Sequence, residues 1–414
     1  MELFIHLIKK LLSVNKFFIT ALSFSISFLS LKADSWTQKA TFPGLEVAGS
    51  FSFSIGSKGY FGCGWNGGVY QRYFWEYDPA SNTWTQKADF GGIERSFAVG
   101  FSIGNKGYAG LGLSGIGDRQ DFWEYDPATN VWTQKNNFAG AARYSAVSFY
   151  IGNKGYVCTG AAFGPFYFND LWQYDPAADT WVQKNNLPAV ARMGAMSFSI
   201  INKGYLGTGY DSSGNLLNDL YEYDESSDTW TQKANPAGNN TCFAPSFSLG
   251  DKGYYGMGST LLNEFWQYDP VANSWNQKAN YSGTARDQAV SFSIGNRGYI
   301  GLGGTTGTFY FSDLWEYTPD TVTEVAEIPN SNVQFSIFPN PVKEFLVTSY
   351  SLIEKEKEKV TITITDVNGK NVYRSLILKD ENEVKIPVWD LGVGIYCIEA
   401  SNGKQKTVKK FLKE

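Results

Sequence analysis

A chain of 414 residues is long enough for more than one hydrophobic core, and 16% aromatic residues with 43 glycines furnish strands and tight turns. The net charge of −5 disfavours nucleic acid and anionic membrane as partners. The single histidine, His6, lies in the N-terminal leader. The remainder therefore cannot build a Ser-His-Asp triad or a His-ligated zinc or copper centre, and neither a metal nor another cofactor is expected.

Residues 1–33 read as a signal peptide. Lys9, Lys10 and Lys16 precede an apolar run over 17–31, and Ala33 is a small residue just before the polar start at Asp34. The run is shorter than the ~20 residues that span a bilayer, so no transmembrane segment is expected after cleavage. Cleavage removes four Lys and one Glu, which leaves a chain near −8.

Over residues 34–319 the chain repeats. Lys-Gly-Tyr, once Arg-Gly-Tyr, recurs with glycines at 59, 107, 155, 204, 253 and 298, spaced 48, 48, 49, 49 and 45 residues apart. That is the period of a four-stranded propeller blade. In each unit an alternating apolar run and the Lys-Gly-Tyr tract form an inner hairpin, strands a and b. A tract such as Phe122-Trp123-Glu124-Tyr125, a turn at Asp126-Pro127, and Trp132-Thr133-Gln134-Lys135 form an outer hairpin, strands c and d. Trp36-Thr37-Gln38-Lys39 is an outer-strand tract ahead of the first complete unit, and Glu324 stands where the last unit needs its Trp. The N-terminal strand is thus expected to complete the sixth blade and close the ring.

The inner hairpin with its following glycines, the Asn169-Asp170-Leu171-Trp172 tract and the Tyr-Asp-Pro turn resemble the kelch family of β-propellers. One departure is Gly-x-Gly, as in Gly62-Cys63-Gly64, in place of the family's Gly-Gly pair. The resemblance implies that the b-c and d-a connections share one face. The copper oxidase related to this family needs histidine ligands, and its activity is excluded here.

Positions equal in all blades are best explained by blade geometry. Such are Gln38, Gln86, Gln134, Gln183, Gln232 and Gln277, and the acids Asp121, Asp170, Asp219, Glu264 and Asp313, with Tyr73 as the exception. These carboxylates are expected to accept backbone N–H bonds. A further set, Val47, Arg95, Arg143, Arg192, Thr241 and Arg286, falls where the d-a connection enters the inner strand. Four guanidiniums facing the channel would favour carboxylate or phosphate groups, as in acidic sugars; alternatively they bond neighbouring loop carbonyls. The variable b-c loops add Trp65, Tyr70, Phe166, Tyr167, Tyr210 and Tyr310, a recognition surface for a glycan or protein, or else a plug over the channel. Asp211, Ser213 and Asn215 echo a calcium loop, but Leu216 occupies the position that needs Gly. Cys63, Cys158, Cys242 and Cys397 show no metal-ligand spacing and are expected to be small buried hydrophobes rather than disulfides.

Residues 320–333 read as a linker, and 334–414 as a separate β domain with thirteen basic and eleven acidic residues. Asn368-Gly369 and Asn402-Gly403 mark two hairpins, and about seven short strands suggest an immunoglobulin-like sandwich. Phe338-Pro339-Asn340-Pro341, the tract 363–369 ending in Gly369, the tract 391–396 with Gly394 and Tyr396, and the basic tail with Lys409 and Lys410 resemble the C-terminal sorting domain of type IX secretion, the Por system. That resemblance implies export through the outer membrane of a Gram-negative bacterium, contact with the secretion machinery, and a cell-surface or extracellular destination. The expected class is an all-β, six-bladed kelch-like propeller plus a sandwich, working as a binding protein. The alternatives are a histidine-free carbohydrate-active enzyme of epimerase or hydrolase type, which a strongly raised carboxylate pKa at the channel mouth would favour, and a structural envelope component.

Overall fold

The computed structural model describes residues 31–305, 309–322, 333–338, 341–352, 360–366, 371–377, 383–392, 394–401 and 406–413. The expected signal peptide lies almost wholly outside these residues, and so does most of the expected linker. The chain divides into two compact units, one of them Ala33–Thr321, the other containing Val322–Glu414.

The first unit contains six four-stranded antiparallel sheets, each in the order a-b-c-d. Blade 2 is typical, with Val99–Ile103, Lys106–Gly110, Phe122–Asp126 and Val131–Lys135. Blade 6 takes its outer strand from the other end of the chain: Ser35–Gln38 pairs with Leu314–Thr318, in the register Ser35↔Thr318 to Gln38↔Trp315. Asp34 and Trp36 make this strand equivalent to the others. In blades 1 to 5 an Asn or Asp in the c-d turn accepts a strand-c Tyr hydroxyl and a backbone N–H from the preceding blade, as Asn130 does from Tyr125 and Ala88. Asp34 does the same for Tyr317 and Ala279. The Trp36 indole donates to Ala279 O, as Trp84, Trp132, Trp181, Trp230 and Trp275 donate to their preceding blades.

The repeated tract is legible in these contacts. Lys106 pairs with Asp126 of strand c, and the Tyr108 hydroxyl donates to Glu124 at 2.9 Å. The glycine between them faces the preceding blade: a Cβ on Gly107 would sit 2.3 Å from the Phe53 ring, and one on Gly204 would sit 2.1 Å from Phe149. Hydrophobic cores consequently lie between blades, where Phe51, Phe53, Tyr60 and Phe74 of blade 1 pack with Tyr125 and Trp132 of blade 2. Cys63 and Cys158 lie in such cores and Cys242 is buried too, as expected, whereas Cys397 is only half-buried; burial pushes the Cys63 thiol up to about 12. Left-handed backbone at φ 94° accounts for the last glycine of Gly-x-Gly, Gly112, while the middle residue, Leu111, is left-handed at φ 59° without being glycine.

Among the described residues, 333–413 hold a three-stranded and a four-stranded antiparallel sheet, the pattern of an immunoglobulin-like sandwich. Val342, Leu346, Ile362, Ile364, Ile386, Ile398 and Phe411 form its core. Both expected hairpins are present: Val360–Thr365 with Asn371–Ile377, and Gly394–Ser401 with Lys406–Lys413.

Candidate ligand-binding site

Each blade enters its inner strand through three consecutive residues, which in blade 2 are Arg95, Ser96 and Phe97. The third residue is left-handed in every blade: Gly49, Phe97, Ser145, Gly194, Phe243 and Gln288 have φ between 52° and 66°. Their backbones form a closed cycle of hydrogen bonds. Phe97 N donates to Gly49 O, Ser145 to Phe97, Gly194 to Ser145, Phe243 to Gly194, Gln288 to Phe243, and Gly49 back to Gln288, at 2.6 to 3.1 Å. A second cycle links the glycine two residues after strand b of each blade to the first of the three residues in the following blade, from Gly64 N to Arg95 O and on to Gly303 N and Val47 O. Two concentric rings thus hold the mouth of the channel with no side chain involved, and the side chains of the third residue are free to vary.

Within the inner ring lies an open pocket of about 140 Å³, lined by Phe97, Phe243, Ser145, Gln288 and the alanines that follow them. Phe97 and Phe243, with ring centroids 5.8 Å apart, give it an apolar wall. Ser145 is 6% exposed and its Oγ has no hydrogen-bond partner. A left-handed Phe, Ser or Gln costs more than the Gly that blades 1 and 4 use there, so these side chains are held against a backbone preference. Around them stand Tyr144, 6.4 Å from Phe97, and Tyr210, 6.0 Å from Phe243 and 6.1 Å from Tyr167. Burial, and next the charge of Asp118, raises the Tyr144 hydroxyl. Asp118 accepts Phe163 N at 2.6 Å, while its other oxygen is buried without a partner. Burial pushes the Asp287 carboxyl up to about 6.

The loop aromatics divide into three groups. Tyr167 and Tyr210 adjoin the pocket through Phe243. Trp65 pairs with Tyr70 within its loop and meets Tyr310 of blade 6 at 6.4 Å, so these two neighbouring loops pack on each other. Phe166 stands exposed at the tip of its loop. Asp211 closes its own turn by accepting Ser213 N, Asn215 N and Asn215 Nδ2.

The arginine expectation is corrected. Arg95, Arg143, Arg192 and Arg286 are 0% exposed and do not face the channel. Each forms a fork with the acid before strand c of its own blade: Arg95 with Asp121 at 2.7 Å on both oxygens, and Arg143 with Asp170, Arg192 with Asp219 and Arg286 with Asp313 likewise. Each also donates to the carbonyl two residues back and to one after strand b, as Arg143 does to Ala141 O and Thr159 O, both at 3.0 Å. Phe138 and Phe168 sandwich the Arg143 guanidinium. The loop-carbonyl alternative was thus partly right, but the acids take guanidinium and indole N–H groups rather than the backbone bonds expected of them. With the guanidiniums spent inside the blades, the argument for an acidic sugar loses its basis.

The mouth residues were not among the expected site residues. Their signal lay in the sequence all the same, because the two positions after the near-constant arginine read Ala48-Gly49, Ser96-Phe97, Tyr144-Ser145, Met193-Gly194, Cys242-Phe243 and Asp287-Gln288. Variation on a fixed scaffold marks recognition there as it does in the loops.

Of the expected sorting residues, Pro339, Asn340 and Gly369 lie outside the described residues. Pro341 is exposed; Gly394 and Tyr396 lie opposite Lys413 and Phe411, and Lys409 and Lys410 opposite Ile398 and Cys397. The Tyr396 ring stacks on Phe411 and its hydroxyl donates to Gly392 O. Residues 336–414 match the model of the secretion system C-terminal sorting domain. The chain carries a type IX sorting domain. That domain marks it for export to the cell surface or the extracellular space and engages the type IX machinery. The solved structure of YjhT, a kelch-type propeller, is similar with a TM-score of 0.58 at 18% identity, over 67% of this chain and 95% of that one. At that identity the likeness carries the propeller fold alone. No curated protein matches the sequence.

Proposed function

We propose that the exported cargo is a binding protein whose propeller, a set of kelch repeats, holds a neutral ring-shaped group, such as one sugar unit of a glycan, at the mouth of the channel. The observation that carries this reading is the pocket on the ring axis: two phenyl faces to stack on a ring, and the Ser145 hydroxyl and Gln288 amide to bond its polar edge. No charged residue lines it, which favours a neutral ligand over an acidic one. Tyr167, Tyr210, Trp65 and Tyr310 extend the surface for the rest of the ligand. The test is binding of the exported protein to neutral and acidic glycans beside a Phe97→Ala, Phe243→Ala variant. Binding to neutral glycans that the variant loses supports the reading; undiminished binding by the variant sinks it.

A second reading, a histidine-free carbohydrate-active enzyme, draws on Asp287, whose raised carboxyl suits an acid or base near neutral pH. It ranks second because Asp287 stands one residue outside the pocket lining, its backbone paired with Gly304. Turnover of a bound sugar that Asp287→Asn abolishes would reverse the order.

A further inference from the structure

The arginine clamp is absent from two blades, and the two losses differ. In blade 1, Val47 replaces the arginine and Tyr73 the acid; Val47 is fully buried and the Tyr73 hydroxyl donates to Leu45 O at 2.6 Å, so the place is filled. In blade 5, Thr241 replaces the arginine, but an acid, Glu264, remains. The Thr241 hydroxyl donates to Met257 O at 3.1 Å, taking over the bond that the arginines make to Leu111, Thr159, Thr208 and Leu302. Nothing takes over the carboxylate. Glu264 forms no salt bridge among the described residues and has only Asn239 Nδ2 at 3.5 Å. Beside it the Trp266 Nε1 is buried and without a partner, whereas Trp123, Trp172 and Trp315 donate theirs to the clamped acid at 2.7 to 2.8 Å. Pro236 stands where Phe90, Phe138 and Tyr281 lie against their guanidiniums. What is left is a cleft with Thr241 and Tyr255 inside and Asn239, Leu262 and Glu264 at its edge. Its enclosed volume is about 10 Å³, room for one water-sized group, and it opens to solvent at that edge.

We propose that this cleft of blade 5 is a receptor for a guanidinium group supplied from outside the blade. The same fold binds a guanidinium at this position in four blades, on a carboxylate placed by the same strand. Blade 5 keeps the carboxylate, opens the place to solvent and lacks the cation. One nitrogen edge of the planar fork enters beside Glu264 and the rest lies at the rim; an ammonium cannot pair with both carboxylate oxygens in this way. When Glu264 turns inward to receive the fork, its second oxygen comes within reach of the Trp266 indole, as in the clamped blades.

The experiment follows the Trp266 indole N–H by two-dimensional NMR in the exported protein, assigned with Trp266→Phe, as methylguanidinium is added. A saturable shift is expected, at least about tenfold weaker with methylammonium or in Glu264→Gln. It should vanish in Thr241→Arg, Glu264→Asp, which supplies its own guanidinium. N-acetyl-arginine methylamide in place of methylguanidinium decides the source: equal or tighter binding means an arginine side chain of a partner, weaker binding a free guanidinium compound. Glu264 is partly exposed, so its Gln variant should fold, and unchanged melting checks this. A shift that does not saturate, or one that Glu264→Gln leaves intact, overturns the proposal.

Discussion

Arg143→Ala tests whether these arginines are blade clamps. The side chain is fully buried, makes two hydrogen bonds to carbonyls and a fork to Asp170, and lies between two phenyl rings. Removing it leaves the Thr159 carbonyl unpaired and a largely buried Asp170 carboxylate with only the Trp172 indole. Breaking a buried pair from one side costs about 3–5 kcal/mol. For a cooperative propeller of this size, with an unfolding entropy of about 0.6 kcal/mol/K, that is a fall in Tm of roughly 5–8 °C. Circular dichroism melts at pH 7 would read it, and Arg143→Met, Asp170→Leu should recover at least half. A surface arginine facing a cavity would cost under about 0.5 kcal/mol. A Tm within 1 °C of the parent would therefore refute the clamp. The acid side follows the same logic. Burial alone would raise the Asp121 and Asp313 carboxyls, but Arg95 and Arg286 outweigh it and hold both below the usual range. Their stabilisation is present above the unfolded value near 4 and is lost as pH falls through the lower folded values.

The opposite sign holds at Asp287. Its folded pKa is raised, so stability is lost as pH rises from about 4 through 6; Asp287→Asn should raise Tm at pH 7.5 and leave it unchanged at pH 3.5, and a rise at both would count against buried charge as the cause. Gly204→Ala places a Cβ 2.1 Å from the Phe149 ring between two blades, and a loss of ~1–3 kcal/mol by chemical denaturation is expected; a neutral result would mean the blades can part at little cost. Deleting residues 34–40 removes the strand that pairs with Leu314–Thr318 and should open the ring, lowering Tm and broadening the transition, whereas an unchanged melt would contradict closure by that strand. Without residues 336–414 the protein should accumulate in the periplasm, as fractionation would reveal; continued appearance outside the cell would contradict the sorting role.

The architecture was legible because each residue of the repeated tract serves a contact that every blade must make. Lys106, Gly107 and Tyr108 meet strand c, the neighbouring blade and a Glu in turn, so selection for packing is written as a period. Closure was legible from Trp36, which needs a preceding blade to accept its indole. The arginines were found and misplaced. Both halves of the clamp were visible as near-constant sets, 26 or 27 residues apart in every blade but the fifth, but their pairing shows in sequence only in blade 1, where Val47 goes with Tyr73. The mouth escaped notice because left-handed backbone at Phe97, Phe243 and Gln288 has no residue signature of its own, and a Phe in that conformation is not anticipated from propensity.

The most direct test of the account is the crystal structure of the exported protein with the tightest-binding neutral glycan. One sugar ring is expected on the axis, within van der Waals contact of Phe97 and Phe243 and hydrogen-bonded to Ser145 Oγ or the Gln288 amide. A glycan seated elsewhere on the propeller, with the pocket at the mouth vacant, would contradict it.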